Sequence, residues 1–119
     1  MKVLFVNYPK CSTCQKAKKW LEENNIEFES RHIVENNPTK EELKEWITLS
    51  KEPIKKFFNT SGILYREMNL KEKVAEGNVE ELLDILPSNG MLVKRPLVIC
   101  KDTVLIGFKA EKWTEYFGK

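Results

Sequence analysis

Apolar positions along this chain follow two spacings, and the switches between them mark out the elements. "KVLFV", Lys2 to Val6, is a short β-prone apolar run and predicts a buried strand. "NYPK" interrupts it. From Ser12 the pattern turns helical, with Cys14, Ala17 and Leu21 on one face and lysines on another; it should end near Glu23 to Asn25. "IEFESRHI", Ile26 to Ile33, reads as a second strand. A strand–helix–strand opening implies parallel strands joined by a right-handed crossover. Asn36, Asn37 and Pro38 then break the chain. Thr39 and Glu42 have capping-box spacing, each placed to satisfy a free backbone amide of the other, ahead of an apolar face of Leu43, Trp46 and Ile47. Pro53 suits the first turn of a further short helix carrying Ile54, Phe57 and Phe58, which "NTSG", Asn59 to Gly62, ends. Asn78 and Glu81 repeat the cap before Val79, Leu82, Leu83 and Leu86, and Pro87 stops that helix. "PLVIC", Pro96 to Cys100, and "TVLIGF", Thr103 to Phe108, are strands joined by Lys101-Asp102, a connection tight enough for an antiparallel hairpin. Ala110, Trp113 and Phe117 mark a closing helix. Trp20, Trp46 and Trp113 all fall at helical spacing with other apolar residues, so core is their expected use.

The resulting order is β-α-β, several helices, then β-β-α. With the middle helices lifted out this is a thioredoxin-like α/β arrangement: a mixed four-stranded sheet with helices on both faces. The expectation is one domain over residues 1–119, with a helical insertion at about 39–90, and 119 residues suit a single core. No apolar run approaches the roughly 18 residues of a membrane helix. The four-residue apolar stretch near the start is shorter than a signal-peptide core of about 7–15. A cytoplasmic protein with no membrane partner is therefore expected. Net charge is +2, from 20 basic and 18 acidic residues, too balanced to imply direct nucleic-acid binding.

The chemistry concentrates in "YPKCSTCQKAKKW", where Cys11 and Cys14 lie three positions apart with Lys10 just before them. Three cysteines is an odd number for a secreted disulfide scaffold, and in a reducing compartment a close pair is catalytic, redox-sensing or metal-binding more often than structural. A structural zinc site wants four ligands, and only the isolated Cys100 and His32 could complete one. A phosphatase-type loop needs an arginine after five intervening residues; those positions hold Ala17 and Trp20. A papain-like pair would have to use His32, the only histidine, at the end of a predicted strand. A dithiol fits best. Cys11 would sit just outside a helix N-terminus and Cys14 in its first turn, where free amides and the helix dipole favour the thiolate that acts as nucleophile. Cys14 would be close enough to resolve a mixed disulfide on Cys11. The competing account is two cysteines that simply pack at a helix start.

"KRP", Lys94 to Pro96, leads the third strand. X-Pro bonds are where cis peptides occur, and in thioredoxin-like folds a cis-proline at this point faces the cysteine helix. By that analogy Pro96 is cis and Arg95 points at Cys11, lowering its pKa and binding an oxyanion or carboxylate. A trans proline and a solvated arginine fit the same letters.

Taken together, "YPKCSTCQKAKKWLEE", "NPTKEELKEWI", "KKFFNTSGILYREMNL" and "GMLVKRPLVI" resemble the arsenate reductase/Spx family, over about Val3 to Trp113. That family comprises glutaredoxin-dependent arsenate reductases and Spx regulators that bind RNA polymerase. The resemblance implies a thioredoxin-like fold with a helical insertion. It puts Cys11 on the cysteine that attacks arsenate, Arg95 on an oxyanion-binding arginine, and Cys14 on the second cysteine of the Spx switch. Two further arginines of the reductases are replaced: Asn59 or Thr60 stands at one place, and only Lys109 lies near the other. Lys10, Ser12 and Asn59 join Arg95 as candidate substrate-binding residues, with neutral donors from Asn59, Thr60, Ser61 and the helix amides. Spx regulators carry a longer C-terminal tail and a basic residue in the "NTS" block; this chain ends at "EYFGK".

Three functions follow as expectations. The first is a thiol-dependent oxidoreductase with no bound cofactor, acting on arsenate, another small oxidised substrate or a mixed disulfide, and regenerated by glutathione, glutaredoxin or thioredoxin. The second is a redox-sensing regulator that contacts the RNA polymerase α subunit. The third is a domain with a vestigial dithiol. Cys100, ending a predicted buried strand, has no assigned role.

Overall fold

Side chains alternate strictly across the first strand, β1 (Lys2–Asn7): Val3 and Phe5 enter one apolar cluster, Leu4 and Val6 the other. This period-2 sorting builds a core on each side of the sheet. The structure, a computed structural model, describes residues 2–119. After β1 come α1 (Ser12–Glu23), β2 (Glu27–His32), α2 (Lys40–Ser50), α3 (Ile63–Glu67), α4 (Leu70–Glu76), α5 (Val79–Ile85), β3 (Leu97–Ile99), β4 (Val104–Ile106) and α6 (Ala110–Phe117). Strand order is β2-β1-β3-β4, with β1 parallel to β2 and antiparallel to β3. The mixed four-stranded sheet expected from the sequence is therefore present, with helices on both faces.

On one face, Ala17 and Leu21 of α1 and Trp113 of α6 pack on Val3, Phe5 and Val98. Trp20 stands edge-on to Trp113 at 5.6 Å, a favourable aromatic geometry. On the other face, α2 and the helices after it cover Val6, Leu97 and Val104. Trp46 and Trp113 are buried as expected, whereas Trp20 is half-buried at the edge of its cluster.

The insertion departs from expectation in detail. Pro53 precedes a single 3-10 turn, Ile54–Phe57, rather than a helix, and Phe58 leaves it to bridge Val93. Both phenylalanines are nonetheless buried. The short α3 and α4 have no side-chain cap at their N-termini, so no start signal marked them.

The Thr39–Glu42 capping box forms with both reciprocal bonds. Glu42 does more than cap. Its carboxylate takes two bonds from the Arg31 guanidinium, at 2.6 and 2.8 Å, tying the end of β2 to the start of α2. Arg31 also donates to the carbonyls of Asn36 and Asn37. Arg31 foremost, and then the Thr39 amide against the opposing effect of burial, holds the Glu42 carboxyl down at about 2. A depressed carboxyl pKa stabilises the fold above the usual carboxylate range, and that contribution fades as pH falls toward 2. Glu42→Gln is expected to cost about 1–2 kcal/mol at pH 7, because Glu42 is partly solvated and the pair is screened. In pH-dependent thermal melts the difference from wild type should shrink steadily below pH ~4.5.

Candidate active site

Cys11 is the N-cap of α1. Its backbone is extended (φ −82°, ψ 121°) and its amide donates to the Tyr8 carbonyl at 2.9 Å, closing the turn that β1 runs into. No side chain caps the helix, so the first amides of α1 are left for the sulfur itself. Burial pushes the Cys11 thiol up. The Cys14 amide, the Cys14 thiol, the Arg95 guanidinium and the Thr13 amide together outweigh it, and the net pKa is lowered. Cys14, one turn into the helix, is buried, and its thiol is pushed up to about 12, mainly by that burial and further by the neighbouring Cys11. The two sulfurs are thus unlike: one half-exposed and inclined to ionise, the other enclosed and protonated. All three cysteines are free thiols.

Arg95 reaches the site from the other end of the chain. The antiparallel pairing of β1 with β3 sets Val6 against Leu97, which brings the residues before β3 next to the loop after β1. The Arg95–Pro96 bond is cis, as the analogy expects. The guanidinium carbon lies 5.1 Å from the centre of the Tyr8 ring, and Nη1 is 4.0 Å from the Met91 sulfur. The Tyr8 ring face is a favourable seat for that cation.

A cleft of about 620 Å³ opens in front of Cys11. Cys11, Asn59 and Arg95 line it together. Asn59 is held from several sides: its amide donates to Leu92 O at 2.8 Å, its Nδ2 reaches Met91 O, and Ser61 Oγ donates to its Oδ1. Lys10 and Ser12 are exposed and are not part of the cleft lining. Lys109 is, together with Lys94 and Glu67. Glu67 and Met91 were not singled out from the sequence. Both lie inside blocks that carry the family resemblance, but neither has a spacing that betrays a cleft. His32, considered above as a nucleophile's partner, accepts the Val34 and Glu35 amides on Nδ1 and meets Tyr8 edge-on, so it is engaged at the end of β2. Among the described residues no cluster of three or more His, Cys, Asp or Glu side chains could hold a metal ion.

A family model described as the ArsC family matches residues 6–116. The chain belongs to this family. Among curated relatives, YusI of Bacillus subtilis is 51% identical over 97% of this chain and 98% of its own length. The global transcriptional regulator Spx 2 of Bacillus anthracis is 30% identical over 92% and 82%. Among solved structures, a protein described as related to the ArsC family from Bacteroides fragilis superposes with a TM-score of 0.92 at 59% identity, covering 97% of each chain. An arsenate reductase from Vibrio cholerae does so with a TM-score of 0.85 at 25% identity, again over 97% of each chain. Proteins described as an arsenate reductase and as a transcriptional regulator are thus both among its relatives. Among the described residues no helix is long and apolar enough to cross a membrane.

Proposed function

We propose that this protein is a thiol–disulfide oxidoreductase in which Cys11 is the nucleophile and Cys14 the resolving thiol. The observation that carries the reading is the asymmetry of the pair: a half-exposed sulfur at a helix N-terminus with its pKa lowered, beside a buried sulfur with its pKa raised to about 12. The Cys11 thiolate attacks a small oxidised substrate or a mixed disulfide. Cys14 then displaces the substrate, leaving a Cys11–Cys14 disulfide for glutathione, glutaredoxin or thioredoxin to reduce. Arg95 steadies the anionic part of the substrate. Arsenate carries about two negative charges near neutral pH, as phosphate does; one arginine with neutral donors such as Asn59 is a weak replacement for its hydration.

Iodoacetamide labelling followed by mass spectrometry tests the reading. Cys11 should label rapidly at pH 6–7, with a midpoint below the ordinary thiol value of about 8.5, and Cys14 slowly. Arg95→Met should move the Cys11 midpoint upward. A Cys11 that titrates as an ordinary thiol would overturn the assignment.

A second reading, favoured by the Spx relative, is a redox-sensing regulator that binds RNA polymerase. A pull-down with the polymerase α subunit, using the reduced and the oxidised protein in turn, decides it; no binding in either state removes it.

A further inference from the structure

The cleft is larger than a tetrahedral oxyanion needs. Its volume of about 620 Å³ falls in the range of roughly 300–1,000 Å³ that holds organic ligands. Its charged lining has both signs, with Arg95, Lys94 and Lys109 as cations and Glu67 as a carboxylate. None of these four is in an ion pair among the described residues. Opposite charges that line one cleft without neutralising each other are set out for a ligand that carries both. The remaining wall includes Ile63, Met91, Ile106 and Phe108. Ile63 is 66% exposed, an uncommon solvent exposure for a large apolar side chain and one that a bound carbon chain would cover. A single inorganic anion would use the cations and leave both Glu67 and the apolar wall without a role.

We propose that this cleft takes a low-mass organic disulfide of amino-acid type, carrying a carboxylate and an ammonium group on the half that faces Cys11. The carboxylate pairs with Arg95 beside the sulfur, within a lining that also holds Lys94 and Lys109, the ammonium with Glu67, and the carbon chain lies on the apolar wall. This rests on the thiol-exchange reading above and names its substrate class. In the first step the Cys11 thiolate bonds to the near sulfur, the ligand's S–S bond breaks, and the far half leaves as a thiolate that takes a proton from water. In the second, Cys14 gives up its proton and bonds to the Cys11 sulfur, and the near half leaves as a thiolate and is protonated. Two cysteine sulfurs are oxidised, two ligand sulfurs are reduced, and an external thiol reductant restores the protein.

The test is single-turnover oxidation of the fully reduced protein at pH 7, acid-quenched and read by mass spectrometry. The disulfides are L-cystine, 3,3′-dithiodipropionate and bis(2-hydroxyethyl) disulfide. Each rate is divided by that of 2-mercaptoethanol with the same disulfide, which removes intrinsic sulfur reactivity. On that scale cystine should exceed the neutral disulfide by about tenfold. Glu67→Lys should lower the ratio of cystine to dithiodipropionate roughly three- to tenfold, with Glu67→Gln in between. Equal normalised rates for the three disulfides, or a ratio unmoved in Glu67→Lys, overturn the substrate class while leaving the dithiol chemistry standing. Failure of all three to produce a Cys11–Cys14 disulfide overturns both.

Discussion

Cys11→Ser is expected to abolish thiol–disulfide exchange, lowering the rate by at least about a thousandfold, because a serine hydroxyl neither ionises near neutral pH nor attacks sulfur. Cys14→Ser should behave differently. It keeps the first step and loses the second, so an oxidised substrate should remain attached to Cys11 as a mixed disulfide, visible as added mass in the intact protein. The contrast between the variants is the informative result, since a purely structural pair would respond alike to either change. Cys100 does not offer a substitute nucleophile. It is buried beneath α6, its sulfur faces the Val98 carbonyl, and burial pushes its thiol up to about 11. Residual exchange in Cys11→Ser at more than a few per cent of the wild-type rate would sink the assignment.

Gly90→Ala should be the most destabilising small substitution in the chain outside the sheet. A Cβ at Gly90 would stand 2.0 Å from the Ile33 carbonyl oxygen and 2.9 Å from the Val34 Cα. These are backbone atoms just past β2, so no side chain can swing aside to relieve the clash. Overpacking of this kind costs about 3 kcal/mol or more, and the melting temperature should fall by more than about 10 °C. The damage should also reach the cleft. Gly90–Leu92 is a 3-10 turn that itself carries Met91, and its continuation supplies Lys94 and Arg95. A shift there displaces the guanidinium, so the midpoint for Cys11 alkylation should rise in whatever fraction still folds. A melting temperature within about 2 °C of wild type would show that the turn can move away from Ile33 at little cost.

Much of the architecture could be read from the letters because several levels agree. The apolar β-prone run "KVLFV", the Thr39–Glu42 cap and the tight hairpin at Lys101-Asp102 are local signals that the tertiary structure leaves intact, and the family blocks run in the same order. The insertion was harder. α3 and α4 are five and seven residues long, lack side-chain caps, and are held by packing of Tyr65, Leu70 and Val74 against the core; short helices of that kind have little intrinsic stability to advertise. The cleft was partly legible. Cys11 and Arg95 drew notice through motifs, and Asn59 and Lys109 through the resemblance. Glu67 and Ile63 did not, because each lies on an uncapped short helix and gains its meaning only from what the fold sets opposite it. Lys10 and Ser12 adjoin Cys11 in sequence yet face solvent, since a helix start turns neighbouring residues in different directions.

The pairing of β1 with β3 joins residues more than ninety positions apart, as in Leu4 with Ile99. A ribosome therefore finishes the sulfur's helix long before it makes the guanidinium that sharpens it. An incomplete nascent chain that has formed this helix has the Cys14 and Thr13 amides and the Cys14 thiol beside the sulfur but no guanidinium, so the thiol is less prone to ionise and to stray cross-linking. Full reactivity arrives with the last third of the polypeptide, which makes alkylation speed at this one atom a gauge of whether a given molecule has finished assembling.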